Sequence, residues 1–352
     1  MRLEYLETPA LIVDLDALEH NIEVSNRMLE GSSMRMRPHY KSHKCPSIAH
    51  MQINACSKGI TCAKVSEAED LIASGIEDVL IANQIVHPAK IARLAYLAKC
   101  CHLTVCVDNG DNILDLQKAA EAQGSTIHCL IEYEIGMKRC GVDTPEAFYE
   151  LVKIIESCPN LTFDGIQAYA GNLSHEENYE ARALESEKVE ERLSTLKRYV
   201  EERGTVVKEV SGASTGTIQF RKTDSVYTEV QAGSYIFMDM AYDALDLEFK
   251  NSLFVLTSVL VKRDDVVITD AGRKSVSVDQ KMPAFKEYLQ YPVKVSEEHS
   301  AIYENLPLKV GDKLKLIPGH CCTTMNLHDY VYLVRQDRVV DRVPIVSRGR
   351  SL

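Results

Sequence analysis

The chain has 352 residues, 45% of them hydrophobic, which is enough to bury a large core as two ordinary domains or as one barrel with an appendage, and which excludes a small disulfide scaffold. A formal charge of −11 counts against a phosphate-backbone partner, because nucleic-acid binders present a basic face, and leaves a small-molecule substrate as the expectation. Eleven cysteines, an odd number scattered from Cys45 to Cys322, fit no secreted disulfide framework and read as thiols, most of them small buried hydrophobes.

The N-terminus carries Glu4, Glu7, Asp14 and Asp16, so it lacks the apolar core of a signal peptide. No stretch approaches the roughly 20 apolar residues of a membrane helix, and a cytoplasmic location is expected. After the apolar run Ala10 to Val13, Asp16 stands where a helix cap belongs, followed by Leu18, Ile22, Val24 and Met28 on a helical period. The alternation continues with strands at Gly59 to Ala63, Val79 to Ala82, Leu103 to Val107, Ile127 to Glu132 and Phe163 to Tyr169. Helices are expected at Glu67 to Ser74, Pro88 to Lys99, Asn112 to Ala122, Pro145 to Ser157 and Glu176 to Arg203. Val207 to Ser211 and Val226 to Gln231 add two short strands.

Strand-then-helix repetition over this length implies a parallel sheet with helical crossovers, and a strand count near eight favours a closed (β/α)8 TIM-type barrel. From about Ser252 the pattern changes to β-branched runs without helices: Phe254 to Val261, Val266 to Thr269, Tyr291 to Val295, Lys313 to Ile317 and Tyr330 to Arg335. These predict an antiparallel β domain. The expected division is an α/β barrel over 14–250 and a β domain over 251–352 that also takes the strand in 1–13. No Gly/Ser linker separates the two.

Chemistry concentrates first at Arg37-Pro38-His39-Tyr40-Lys41-Ser42-His43-Lys44. On composition alone this is a solvated basic turn. A lysine at the end of a barrel strand, in a partly dry site, can instead form a Schiff base with an aldehyde cofactor. Further along, Gly212, Ser214, Thr215, Gly216 and Thr217 make a turn whose backbone N–H groups could cradle a phosphate.

The segments TPALIVDLDALEHNI, RPHYKSHK, GITCAKVSEAEDLIASGIEDVLIAN, GMKRCGV, QAYAG, SGASTGT, EVQAGSYIFMD and PGHCC together resemble the D-threonine aldolase and D-serine dehydratase family. That family shares the alanine-racemase fold of pyridoxal-phosphate enzymes. The resemblance runs from about Thr8 to Asp329, with the motifs in family order. It implies pyridoxal 5'-phosphate as cofactor, Lys41 as its Schiff-base residue, and Arg139 as the donor to its phenolic oxygen, where a permanently charged planar group stabilises phenolate. It implies Tyr169 beneath the pyridine ring, the Ser214 to Thr217 turn around the phosphate, and Gly233, Ser234 and Tyr235 completing that pocket. The family's usual phosphate loop is richer in glycine than this one, which has Ala213 and Ser214. Gln231 stands where racemases of the fold place an arginine against the pyridine nitrogen; a neutral amide stabilises a carbanion less, which argues against racemisation.

His320 and Cys322 are one residue apart, so on a strand they would share a face. Imidazole with thiolate suits zinc, with manganese and magnesium as the other candidates, and two protein ligands leave positions for water and substrate. The resemblance places the metal here; its aldolases usually carry aspartate at the second position and its dehydratases cysteine. Cys321 would face the other way. His175 resembles the aldolase histidine that acts as base on the substrate's β-hydroxyl. Asp279, His299 and His328 are candidates for the edge of this site without assigned roles.

The expected function is a lyase acting on D-β-hydroxy amino acids by retro-aldol cleavage to glycine and an aldehyde. A D-serine or D-3-hydroxyaspartate dehydratase, an amino-acid racemase and a non-catalytic carrier of the cofactor are the alternatives. The family's head-to-tail pairing implies a homodimer.

Overall fold

The computed structural model describes every residue from Met1 to Leu352. Chain contacts divide it into two compact units, one of Ser25–Lys41, Ile48–Gly233 and Arg350–Leu352, the other of Met1–Val24, Ser42–Ser47 and Ser234–Gly349. No helix is long and apolar enough to cross a membrane.

Strand β1 (Ala10–Asp14) runs directly into α1 (Leu15–Met28). The cap differs from expectation: Asp14, not Asp16, accepts the amides of Asp16 and Ala17 at 3.1 and 3.2 Å, because the helix begins at Leu15 and its cap must precede it. Then come β2 (Arg35–Met36), α2 (Pro46–Asn54), β3 (Ile60–Cys62), α3 (Val65–Ala73), β4 (Asp78–Ile81), α4 (Pro88–Leu97) and β5 (His102–Val107). They are followed by α5 (Gly110–Gln123), β6 (Ile127–Glu132), α6 (Pro145–Glu156), β7 (Leu161–Ala168), α7 (Tyr179–Glu201), β8 (Glu209–Gly212) and β9 (Glu229–Val230).

The eight strands β2 to β9 pair in parallel in the order β2-β9-β8-β7-β6-β5-β4-β3. The two ends of this sheet meet. His39 bridges to Thr61, and the amides of Lys58 and Thr61 donate to the carbonyls of Met36 and Pro38 at 2.9 Å each, so the sheet closes on itself as the expected barrel. Local chemistry sets the crossovers. In α6, Thr144 accepts the Ala147 amide at 3.2 Å, Pro145 occupies the first turn, and Phe148, Leu151, Val152 and Ile155 recur on one buried stripe. Helix α7 starts at Tyr179 and not at Glu176, because Asn178 accepts the Ala181 amide at 2.8 Å and so fixes the cap. Between β8 and β9 the crossover is reduced to one 3-10 turn, Ile218–Phe220.

Alternate residues of the strands point into the barrel. Leu80, Cys106 and Leu130 form an apolar layer with Ala82 packed against it. A buried charge network spans β2, β4 and β9: Arg37 Nε lies 2.8 Å from Glu229, its terminal nitrogens 2.7 and 3.2 Å from Asp78, and Lys58 3.2 Å from Glu229.

The other unit is built on β10 (Leu253–Arg263), β11 (Val266–Thr269), β12 (Ala284–Phe285), β13 (Lys294–Val295), β14 (Ser300–Ile302) and β15 (Lys313–Ile317). Helix α8 (Cys321–Met325) and strands β16 (Tyr330–Arg335) and β17 (Arg338–Pro344) follow. The sheet runs β13-β14-β11-β10-β1-β16-β17, with β15 pairing both β10 and β12. Every ladder is antiparallel except β1 with β16, so the sheet is mixed at that one pairing. Its core includes Leu3, Leu6, Ala10, Ile12, Phe254, Leu256, Ile317 and Val334.

Candidate active site

The barrel strands end in a cleft of about 200 Å³ lined by His39, Lys41, Asn83, Gln84, Glu132, Arg139, Gln167, Tyr169 and Gln231. Lys41 is placed there because pairing with β9 continues past β2: the amides of Arg37 and His39 donate to Val230 and Ala232 at 2.9 and 3.0 Å. The chain then turns once, over Tyr40–Ser42, and the Lys41 amide donates to His39 Nδ1 at 3.3 Å. Lys41 Nζ lies 5.4 Å from the centroid of the Tyr169 ring, and the Arg139 guanidinium 5.7 Å from the same ring. Both basic side chains thus lie within reach of one aromatic ring. Lys41 Nζ has no hydrogen-bond or ion-pair partner in the protein.

Glu132, the last residue of β6, was not singled out from the sequence. Its carboxyl accepts Gln84 Nε2 at 2.6 Å and stands 3.9 Å from Arg139. Burial raises its pKa, and this outweighs the opposing effects of Gln84 and Arg139. Its position was the available signal, since strand C-termini carry the functional groups of such barrels.

The turn after β8 is buried throughout, from Gly212 to Thr217. Ser214 donates its amide to Thr217 Oγ1 at 3.0 Å, and Gly216 is pressed against Ser174, where an added Cβ would fall 2.3 Å from the carbonyl oxygen. Ala213 adopts φ +57°, a left-handed conformation that costs a non-glycine residue about 1 kcal/mol. The loop therefore follows a glycine-type path even though an alanine occupies it. The main-chain N–H of Gly216 has no acceptor in the protein, nor do those of Gly233 and Ser234. Gln231 Nε2 donates to Gln167 and to Ser211, both at 2.6 Å, so its own bonds go to neutral groups, while Ser211 in turn bonds the buried Glu229 carboxylate. His175 is exposed on the turn before α7; the neighbouring Ser174 hydroxyl lies 3.3 Å from that of Tyr169.

Ser234, Tyr235, His320 and Cys322 lie in the other unit. His320 and Cys322 do not share a strand, as the sequence spacing had led us to expect: β15 ends at Ile317, His320 has extended backbone, and Cys322 belongs to the first turn of α8. The Pro318-Gly319 step explains the change. A Cβ at Gly319 would fall 1.8 Å from the Lys281 carbonyl oxygen, so the chain passes tightly beneath that backbone and leaves the sheet. His320 Nδ1 lies 3.0 Å from Asp279 Oδ2, which leaves Nε2 for another partner. Burial works against a charged His320, but Cys322 and Asp279 prevail and push its pKa up to about 9. Ser234 Oγ stands 3.8 Å from Cys322 Sγ.

Asp239, within the EVQAGSYIFMD segment, has no role assigned from sequence. It is fully buried, accepts the Cys321 amide at 2.7 Å, and burial pushes its pKa up to about 6. Cys321 is buried, and burial with Cys322 beside it raises its thiol well above the usual range. His328 Nε2 donates to the Ser275 carbonyl, 2.7 Å away, and His299 is exposed between β13 and β14; neither touches His320.

A family model described as the alanine racemase N-terminal domain matches residues 13–241, and one described as a putative serine dehydratase domain matches 252–334. A 3-hydroxy-D-aspartate aldolase of Paracoccus denitrificans is 39% identical over 98% of this chain and 93% of its own. A D-threonine aldolase of an Arthrobacter species is 37% identical over 99% and 94%. The chain belongs to the D-threonine aldolase and D-serine dehydratase family. Members of this family are pyridoxal-phosphate lyases, and the solved D-threonine aldolase of Filomicrobium marinum superposes with a TM-score of 0.97 at 33% identity, covering 100% of this chain and 98% of that one. The barrel unit fits the family's cofactor: its cleft offers a lysine amine with no other partner and an aromatic ring and an arginine beside it, and the turn after β8 is glycine-tight with an unused amide. His320 and Cys322, with Asp279 behind the imidazole, are a donor set that could hold a divalent ion.

Proposed function

We propose that this member of the D-threonine aldolase family cleaves the Cα–Cβ bond of a D-β-hydroxy amino acid, releasing glycine and an aldehyde. The observation that carries this reading is kinship over essentially the whole chain with two aldolases of such substrates, together with a cleft that presents a free lysine amine beside an aromatic ring. When bound, pyridoxal phosphate supplies the electron sink for the bond that breaks at Cα.

The protein's own groups do the rest. Lys41 holds the cofactor, Arg139 meets its phenolic oxygen and Tyr169 packs against its ring. Ser214, Thr215, Gly216 and Thr217, with Gly233, Ser234 and Tyr235, take the phosphate. Gln231 offers the pyridine nitrogen a neutral amide in place of a charged group, and the partners of that amide are the uncharged Gln167 and Ser211. That setting disfavours racemisation. His320 and Cys322 hold a divalent ion, and His175 takes the proton from the β-hydroxyl oxygen; its turn is fixed by Ser174, which contacts both Tyr169 and Gly216. Thiolate at Cys322 favours zinc among the candidate ions.

A dehydratase reading rests on the same Cys322. Product analysis separates the two: holoenzyme with zinc or manganese is mixed with D-threonine, 3-hydroxy-D-aspartate and D-serine, and glycine, ammonia and oxo acid are assayed together. Glycine plus aldehyde without ammonia establishes the aldolase. Oxo acid plus ammonia overturns it in favour of dehydration.

A further inference from the structure

A second set of metal-type donors lies at the opposite end of the barrel strands. His102 opens β5, His128 is the second residue of β6, and Asp164 lies within β7. Strand register pairs Thr104 with His128 and His128 with Thr162, so each donor stands two residues along from its neighbour's partner, an offset that keeps all three on one face. Pairing then jumps from Cys129–Phe163 to Leu130–Gly165, which leaves Asp164 as the extra residue of a bulge. Such bulges re-aim a side chain. Gly165 allows it with φ +154°, where an added Cβ would fall 1.9 Å from the Glu209 carbonyl oxygen.

The outcome is that one donor atom from each side chain lies within 4.8 Å of the other two. His128 Nδ1 is 2.6 Å from Asp164 Oδ2, and the rings of His102 and His128 stand 4.0 Å apart. His102 is exposed and Asp164 buried, so the cluster opens to solvent on one side and has a fixed floor. It is separate from the cleft: His128 and Glu132 occupy opposite ends of β6, with Leu130 and its apolar layer between them.

We propose that His102, His128 and Asp164 bind a divalent transition-metal ion, zinc by preference, which ties β5, β6 and β7 together at the N-terminal mouth of the barrel. Two imidazoles and one carboxylate suit zinc, and three protein ligands leave a position for water. Around a tetrahedral ion with bonds of about 2.0–2.2 Å, ligand atoms stand about 3.3–3.6 Å apart, so side-chain torsions suffice to close the set. The facing charges are Lys208, whose Nζ is 3.1 Å from Asp164 Oδ1, and Asp78, paired with Arg37 and opposite His102 in the β4–β5 ladder. Lys208 is the competitor the ion must displace, and it is half exposed, so it can move into water. The site's place at the bottom of the barrel, away from the chemistry, makes its effect one of stability.

The test is zinc titration of the holoenzyme carrying His320→Ala and Cys322→Ala, read by equilibrium dialysis with metal analysis and by melting temperature. One equivalent should bind and raise the melting temperature. Adding His102→Asn or Asp164→Asn should weaken binding by about tenfold or more, equivalent to about 1.4 kcal/mol. Lys208→Gln, an exposed change that spares the fold, should tighten it. The unaltered chain should take two equivalents. No zinc on the double variant, or zinc that ignores all three further changes, overturns the proposal, whichever reaction the cleft performs.

Discussion

Arg37 is the residue whose loss should unmake the barrel that presents Lys41. Its side chain is 4% exposed and joins Glu229, 1% exposed, to Asp78. Burial alone would lower its pKa, but the carboxylates of Glu229 and Asp78 raise it instead, and Glu229 is correspondingly lowered against its own burial by Arg37, then Lys58, then Ser211. Arg37→Met strands the Glu229 carboxylate with only Lys58 at 3.2 Å and the Ser211 hydroxyl. Breaking a buried pair in this way costs about 3–5 kcal/mol. For a unit of about 200 residues, each kcal/mol shifts the melting temperature by about 2–4 °C, so calorimetry of the holoenzyme should show a drop of about 6–20 °C. Because the pair is dry, raising the salt should change this little. Glu229→Leu added to Arg37→Met should regain much of the loss, since it removes the stranded charge; Asp78 and Lys58 are each about one quarter exposed and can be solvated. A drop below about 1 kcal/mol, or a double variant whose losses simply add, would refute the reasoning. The pH dependence carries its own sign: with a lowered folded pKa, the Glu229 contribution is complete above about pH 4.3 and disappears as the pH falls through the folded value.

Gly216→Ala should force the turn after β8 away from the Ser174 carbonyl and weaken pyridoxal-phosphate binding, read as loss of the cofactor's absorbance on dialysis; retention equal to the unaltered chain would remove the cradle from that turn. Asp279→Asn should free the His320 ring and weaken metal binding by about 10–100-fold in competition with a chelator, and an unchanged affinity would separate Asp279 from the metal site. His328 has its pKa lowered chiefly by burial, so its contribution is present above about pH 6.5 and is lost as the pH falls below that; His328→Gln should flatten the fall in melting temperature between pH 7 and 5, and a variant with an undiminished fall would show that another group titrates there.

Much of this protein was legible from periodicity. Strand and helix repeats from Gly59 to Arg203 announced the parallel barrel, because a buried strand and a one-sided helix leave opposite apolar patterns in any chain. The motifs around Lys41, Arg139, Tyr169 and Gln231 were legible only through the family resemblance, not through any period, and the fold brings those four side chains into one cleft. Short elements escaped. Helix α2 has an apolar face of only Ile48 and Ala49, joined by the buried amide of Gln52, and β12 and β14 have two and three residues, too few to show a period. The H-x-C spacing was read with the strand period, although the turn at Gly319 made its second residue helical, a choice set by the Lys281 backbone passing overhead.

Sequence by itself determined what each segment buries and which side chains can do chemistry, since both are properties of the residues. Tertiary structure alone decided which of those groups face each other. Glu132 and Asp239 acquire raised pKa values only because surrounding segments exclude water from them, and His102, His128 and Asp164 meet only because strand register and a bulge bring three distant segments to one level. Desolvation and register depend on pairs of residues far apart in the chain, which no local pattern records.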